Sequence, residues 1–172
     1  MSGFTAPSDQ PRDSFLSSAV QLVSAANIYA ISSYTAFAKR FPAVNSISAS
    51  RWDWTVTVAS VFMAATRLSD LRIDESREEE LMSIVVAELL GWNTTGVAGF
   101  DDCKSFFERT YDGLAESDSY RLDRRFLASD SVGSWIFWNL LDRPPSSEEE
   151  RMLTRSLGIA VTHAFFDWWK VD

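Results

Sequence analysis

The chain has 172 residues, a formal net charge of −8 and a heavy aromatic load of seven Trp and twelve Phe. That length fits one domain burying about 70% of its unfolded surface, so neither a disulfide nor a metal is needed for folding. Acidic excess repels phosphate and disfavours nucleic acid as a partner, and a lone cysteine, Cys103, excludes an internal disulfide.

Residues 1 to about 12, with Pro7 and Pro11 among small polar neighbours, are expected to form a disordered tail, leaving 13–172 as a single helical domain. Asp13 or Ser14 should cap a long helix whose apolar positions Phe15, Ala19, Leu22, Ala26, Tyr29 and Phe37 keep helical spacing. Phe41-Pro42 should end it. Its small residues suit close packing beside a bulkier helix, and residues 42–49 read as a loop.

In the next segment Trp52, Trp54, Val56 and Val58 alternate with Asp53, Thr55 and Thr57, which is strand periodicity. Against a strand, Ser50-x-x-Asp53 has the form of a capping box, and the pattern runs on through Val61, Phe62, Ala65 and Leu68. Helix is the expected state. After a charged turn over 69–76, Arg77 to Trp92 forms the next helix, and Gly91 to Gly99 is a turn-rich break.

Asp101 or Asp102 is expected to cap a helix through Cys103, Phe106, Phe107, Thr110 and Leu114. A short helix over Tyr120 to Ala128 should follow, and Ser129-Asp130-Ser131 should cap another through Trp135, Ile136, Trp138 and Leu141. Pro144 and Pro145 then force a break before a final helix capped by Ser146 or Ser147, with Glu148, Glu149 and Glu150 at its positive end. Leu153, Leu157, Ala160, Val161, Ala164 and Trp168 form one stripe of that helix, while Ile159, Phe165, Phe166 and Trp169 extend apolar surface round its second half. Such a helix is either the central one of the domain or, in part, a partner surface. Six or seven helices with short connections, and no strand pair joined by a hairpin turn, predict an orthogonal or bundle-like all-α domain.

An apolar helix, a charged turn and a Glu triplet occur over Phe62 to Trp92 and again over Phe137 to Trp168, but beyond the triplets and Met82/Met152 the copies do not align. Acidic first turns are good helix chemistry and account for the echo. The first copy resembles the tellurite-resistance TerB-like helical domains, although their Asp-Gly step is missing, Asp70 being followed by Leu71. No residue role is carried over from that resemblance.

Chemistry-bearing residues are few. Glu88 falls on the face of Leu81, Ile84, Val85 and Trp92, where a carboxylate is costly unless paired or protonated, and such desolvation can make a general acid or an ordinary buried ion pair. His163 and Asp167 lie four apart and can project together, as an oriented imidazole or as two metal ligands. Zinc needs three or four ligands, so no metal site is expected. Cys103 follows Asp101 and Asp102, which raise rather than lower a thiol pKa. Asp70 to Glu75 lacks the central Gly of a calcium loop, and Asp53 between Trp52 and Trp54 reads as a capping partner of Ser50 rather than a cation site. No phosphate-binding loop, G-x-S-x-G or CxxC occurs, and no cofactor is expected.

The N-terminus lacks a basic and an apolar signal region, and no stretch is read as the uncharged run of roughly 20 residues a membrane span needs, so the protein is expected to be cytoplasmic, without membrane contact. Residues 1–66 carry about +1 and the remainder −9, which favours a protein partner with a basic patch. The functional expectation is a non-catalytic, acidic helical interaction module, such as an adaptor, regulator or immunity-type protein. Its surface should be an aromatic patch of Trp135, Trp138, Phe166 and Trp169 with an acidic rim. The alternative is an enzyme or small-ligand binder with Glu88 and His163 in an aromatic interhelical pocket. A homodimer is compatible with either.

Overall fold

A helix hydrophobic all round must be buried all round, and the segment read with difficulty as helix or strand is such an element. In the computed structural model, which describes residues 10–115 and 124–170, it is α2, Ala49–Ala65, with Trp52 and the unbroken run Thr55 to Ala64 buried. The other helices are α1 Gln10–Arg40, α3 Glu75–Trp92, α4 Gly96–Ala115, α5 Arg124–Leu141 and α6 Glu148–Phe165, and the described residues contain no strand. The all-α class is therefore observed. Helix α2 packs against α1, α4, α5 and α6, which makes it the centre of the domain. The expectation that the last helix could be central is corrected: α6 packs on α5 and α2, and its outer side, with Arg151, Met152, Arg155, Ile159 and His163, is exposed.

Enclosure explains the alternation within α2, since Thr55, Thr57 and Ser60 are buried like their apolar neighbours. Ser60 Oγ donates to the Val56 carbonyl at 2.7 Å, and Thr57 Oγ1 meets Asn27 Oδ1 of α1 at 3.5 Å. The cap is Ser48, whose hydroxyl accepts from the Arg51 amide at 3.2 Å, rather than the expected Ser50–Asp53 box. Asp53 is a half-buried carboxyl whose pKa burial raises.

Helix α1 starts at Gln10, earlier than the Asp13 or Ser14 cap predicted, so residues 10–12 belong to it and not to a tail; residues 1–9 lie outside the described residues. Its inner residues Ala19, Leu22, Val23, Ala26 and Ala30 are buried. Small side chains let α2 come close enough for the Trp52 indole N–H to donate to the Ala30 carbonyl at 3.0 Å. Tyr34 adds a hydroxyl donation to the Ile47 carbonyl at 2.7 Å, across the 3-10 turn Pro42–Ser46 that follows α1.

Asp74 caps α3 by accepting from the Arg77 amide at 2.8 Å. Helix α4 begins at Gly96 rather than at Asp101 or Asp102. Asn93 supplies the turn before it, its Oδ1 accepting from the Thr95 amide at 3.0 Å. Gly99, inside α4, lies under Trp54, where a Cβ would sit 2.5 Å from the ring.

Residues 124–141 form one helix, not two, and the part of the predicted short helix over 120–123 lies outside the described residues. Ser131, expected at a cap, and Ser134 donate back to the Leu127 and Asp130 carbonyls at 2.9 and 2.8 Å, as hydroxyls inside a helix do. Helices α5 and α6 cross backbone to backbone at two glycines. A Cβ on Gly133 would collide with the Thr154 carbonyl, and one on Gly158 with the Ser129 carbonyl.

Ser147 caps α6, accepting from the Glu150 amide at 3.2 Å. Glu150 reaches back to accept from the Ser146 hydroxyl at 2.8 Å and pairs with Arg143 at 2.7 Å. These bonds, Arg143 foremost, hold its carboxyl down at about 2. Leu153, Leu157, Val161 and Phe165 make the buried stripe, while Ala164 of the predicted stripe is exposed. The helix stops at Phe165, so Trp168 and Trp169 lie in a turn beyond it and fold back separately. The Trp168 indole donates to the Ser18 carbonyl of α1 at 3.1 Å and the Trp169 indole to the Ala64 carbonyl of α2 at 2.7 Å.

Candidate functional site

The predicted aromatic patch divides between core and surface. Trp135 and Trp169 are 1% and 2% exposed, and the Trp135 indole donates to Asp102 Oδ2 at 2.9 Å. A buried indole with a satisfied N–H is a core group. Phe166 is half-buried between two guanidinium groups, Arg67 at 3.8 Å and Arg125 at 4.9 Å from its ring centre. Trp138 is 47% exposed. Arg125 opens α5 and Trp138 lies in its last turn, about 20 Å further on at 1.5 Å per residue, so the two accessible rings do not share a patch.

Glu88 is exposed rather than seated in an apolar face. The buried stripe of α3 is Leu81, Val85 and Leu89, and each four-residue step turns it by about 40°, so that Leu89 points about 100° from Glu88. Helix α3 packs on α1 and α4, and α6 on α2 and α5, so Glu88 and His163 belong to different helix pairs. His163 borders an α5–α6 cleft of about 270 Å³ beside Arg125, Phe126, Ser129, Ile159 and Thr162. Asp167 pairs with Lys170 at 3.4 Å instead of with His163 and borders a separate cleft with Arg67 and Phe15.

The α5–α6 cleft has two buried hydroxyls beneath it, Ser129 Oγ and Thr162 Oγ1, that make no hydrogen bond. Each is closed off from solvent, so the cleft presents Arg125 and His163 at its mouth without a polar floor. Burial first, and Asp102 second, push the Cys103 thiol well up, which removes the only cysteine as a nucleophile at neutral pH. Among the described residues, no group of three or more His, Cys, Asp or Glu could hold a metal ion.

The surface the sequence reading missed is the outer side of α1. From Ser14 to Ala38 the chain has no charged residue. From Ser14 to Arg40 the helix is long and apolar enough, by length and composition, to cross a membrane, which corrects the expectation that no stretch of that kind exists. Its inner side is core, but Ser17, Gln21, Ser24, Ile28, Ile31 and Thr35 are all exposed. Val20, Ile28 and Ile31 are 49%, 64% and 55% exposed. The six seam residues recur at spacings of 4, 3, 4, 3 and 4, so they share one stripe of the helix, in which Ile28 and Ile31 are the apolar members. A solvated helix face normally carries Lys and Glu, so the signal was present in the sequence as an absence of charge on both sides of one helix.

The described residues form one all-α domain with an open helix face. Comparison with family models, curated proteins and solved structures finds no match for the chain.

Proposed function

We propose that the protein is a non-catalytic helical interaction module whose docking surface is the outer face of α1. The observation that carries the reading is that face itself: a helix about 46 Å long, uncharged from Ser14 to Ala38, with Ile28 and Ile31 more than half exposed at its middle. Holding large aliphatics in water stabilises nothing in the free chain, and covering them does. The partner surface is correspondingly uncharged, with apolar groups to cover Val20, Ile28 and Ile31, rather than a basic patch. Separation of Glu88 from His163 takes away the pair on which the enzyme alternative rested.

The test is a double variant, Ile28→Lys with Ile31→Lys. Both side chains face outward, so unfolding in urea should stay within about 0.5 kcal/mol of wild type. In sedimentation velocity of fluorescently tagged protein in extract of its own cells, the wild type should run as a species larger than the 19.4 kDa chain and the variant as the chain alone. Wild-type protein sedimenting as the free chain, or a variant still in the larger species, contradicts the proposal.

A further inference from the structure

Apart from the α1 face, we infer that the cleft between α5 and α6 binds a small amphipathic carboxylate, with its apolar body against Phe126 and Ile159 and its head group at Arg125 and His163. Helices α5 and α6 meet backbone to backbone around Gly133 and Gly158, and the cleft lies beyond that crossing, towards the start of α5 and the end of α6. Phe126 and Ile159 are large apolar side chains left exposed there, one from each helix. A ligand body laid between them removes that surface from water.

The lining sets the shape of the ligand. Ser129 Oγ and Thr162 Oγ1 are closed off from solvent beneath the cleft, so the floor offers neither donor nor acceptor. Whatever enters must therefore be apolar except at the mouth. The volume of about 270 Å³, at about 30 Å³ for each water-sized group, takes about nine heavy atoms.

Charge at the mouth sets the sign. The chain carries −8, yet the acids next along each helix among the described residues are engaged elsewhere, Asp130 at 4.0 Å from Arg155 and Asp167 at 3.4 Å from Lys170. The Phe166 ring lies 4.9 Å from the Arg125 guanidinium carbon and orients that group. A guanidinium has five N–H donors in a planar fork, enough to take a carboxylate alongside its other contacts, and the His163 imidazole adds an N–H. One full positive charge with a neighbouring donor offsets one negative charge, which suits a carboxylate better than the larger charge of a phosphate monoester.

The test is a titration of the full chain with sodium octanoate, followed by amide NMR shifts. Saturable shifts centred on residues 125–129 and 159–163 are expected, with a dissociation constant of about 1–10 mM for a ligand of this size. Octylammonium, the same body with the opposite charge, should leave those residues unshifted at the same concentrations. Ile159→Glu, at an exposed position, places like charge in the cleft and should weaken octanoate at least about tenfold. Arg125→Gln should do the same; because it also loses the Phe166 stack, its unliganded spectrum is checked first, and Ile159→Glu decides alone if that chain is unfolded. Shifts that do not saturate, shifts centred on the outer face of α1, octylammonium moving the same residues, or a folded variant that binds as wild type would each overturn the site.

Discussion

The α5–α6 crossing admits no side chain, and Gly158→Ala measures how firmly it holds. The added Cβ would lie 2.8 Å from the Ser129 carbonyl carbon and 3.1 Å from its Oγ, with the carbonyl oxygen closer still. These are mostly main-chain atoms, which no rotamer change can move, so the two helices must separate by on the order of 1 Å. A gap of that size forfeits a quarter to a half of the dispersion well for each contact it opens, and Leu153, Leu157 and Val161 all pack from α6 into the core. Overpacking of this kind costs about 1–3 kcal/mol, and the better helix propensity of Ala returns up to about 1 kcal/mol. Because the collision is with backbone, a net loss of about 2–3 kcal/mol is expected, which for a chain this size lowers Tm by about 4–12 °C. Urea titration gives the free energy and calorimetry the Tm. Gly91→Ala is the internal control, since Gly91 is exposed and a Cβ added there would have nothing within 4 Å. That variant should gain up to about 1 kcal/mol. Gly133→Ala combined with Gly158→Ala should lose less than the sum, because the first separation relieves the second collision. A Gly158→Ala protein within about 0.5 kcal/mol of wild type would refute the reasoning.

Three further outcomes follow from single contacts. Glu150 is held at about 2 in the folded chain against an ordinary 4.5, so the unfolded state takes up its proton first and stability falls as pH drops from 4.5 towards 2. Glu150→Gln should be destabilised at pH 7 and approach wild type as the pH reaches 2; parallel urea curves at all pH values would contradict this. Asp102→Ala should cost about 1–2 kcal/mol by stranding the Trp135 indole N–H, and Asp102→Asn, whose amide oxygen still accepts, should recover most of it. Equal losses in both would show that the bond contributes nothing. Thr162→Val should leave stability unchanged or raise it by about 1 kcal/mol, since the hydroxyl is buried without a partner, whereas Thr57→Val, which strips a contact from Asn27, should not gain.

How far the sequence disclosed this structure depended on how each helix is surrounded. Helix α6 has one covered side, and its cap at Ser146 or Ser147, its acidic first turn and the Leu153, Leu157 and Val161 part of its stripe were legible. Helix α2 is covered on every side, so its polar and apolar residues follow no helical period and their order imitated a strand. Helix α5 was broken in two by reading Ser129 to Ser131 as a cap, but there Ser131 bonds back within its helix and Ser129 lies against Gly158. The aromatic patch failed for a related reason: composition shows that rings are abundant, but only tertiary contacts decide that Trp135 and Trp169 turn inward while Trp138 does not. Glu88 was misplaced by assuming a straight stripe where the covered side of α3 rotates along the helix. On α1, attention to apolar spacing found the inner face and passed over the outer one, whose mark is missing charge.

Photo-crosslinking along α1 tests the central claim most directly. Benzoylphenylalanine is placed in turn at Gln21, Ser24, Ile28 and Ile31 on the seam, and at Glu79 of α3 as an exposed site away from it. The account predicts protein adducts from all four seam positions and none from position 79. Adducts absent from the seam, or no more frequent there than at position 79, would contradict it.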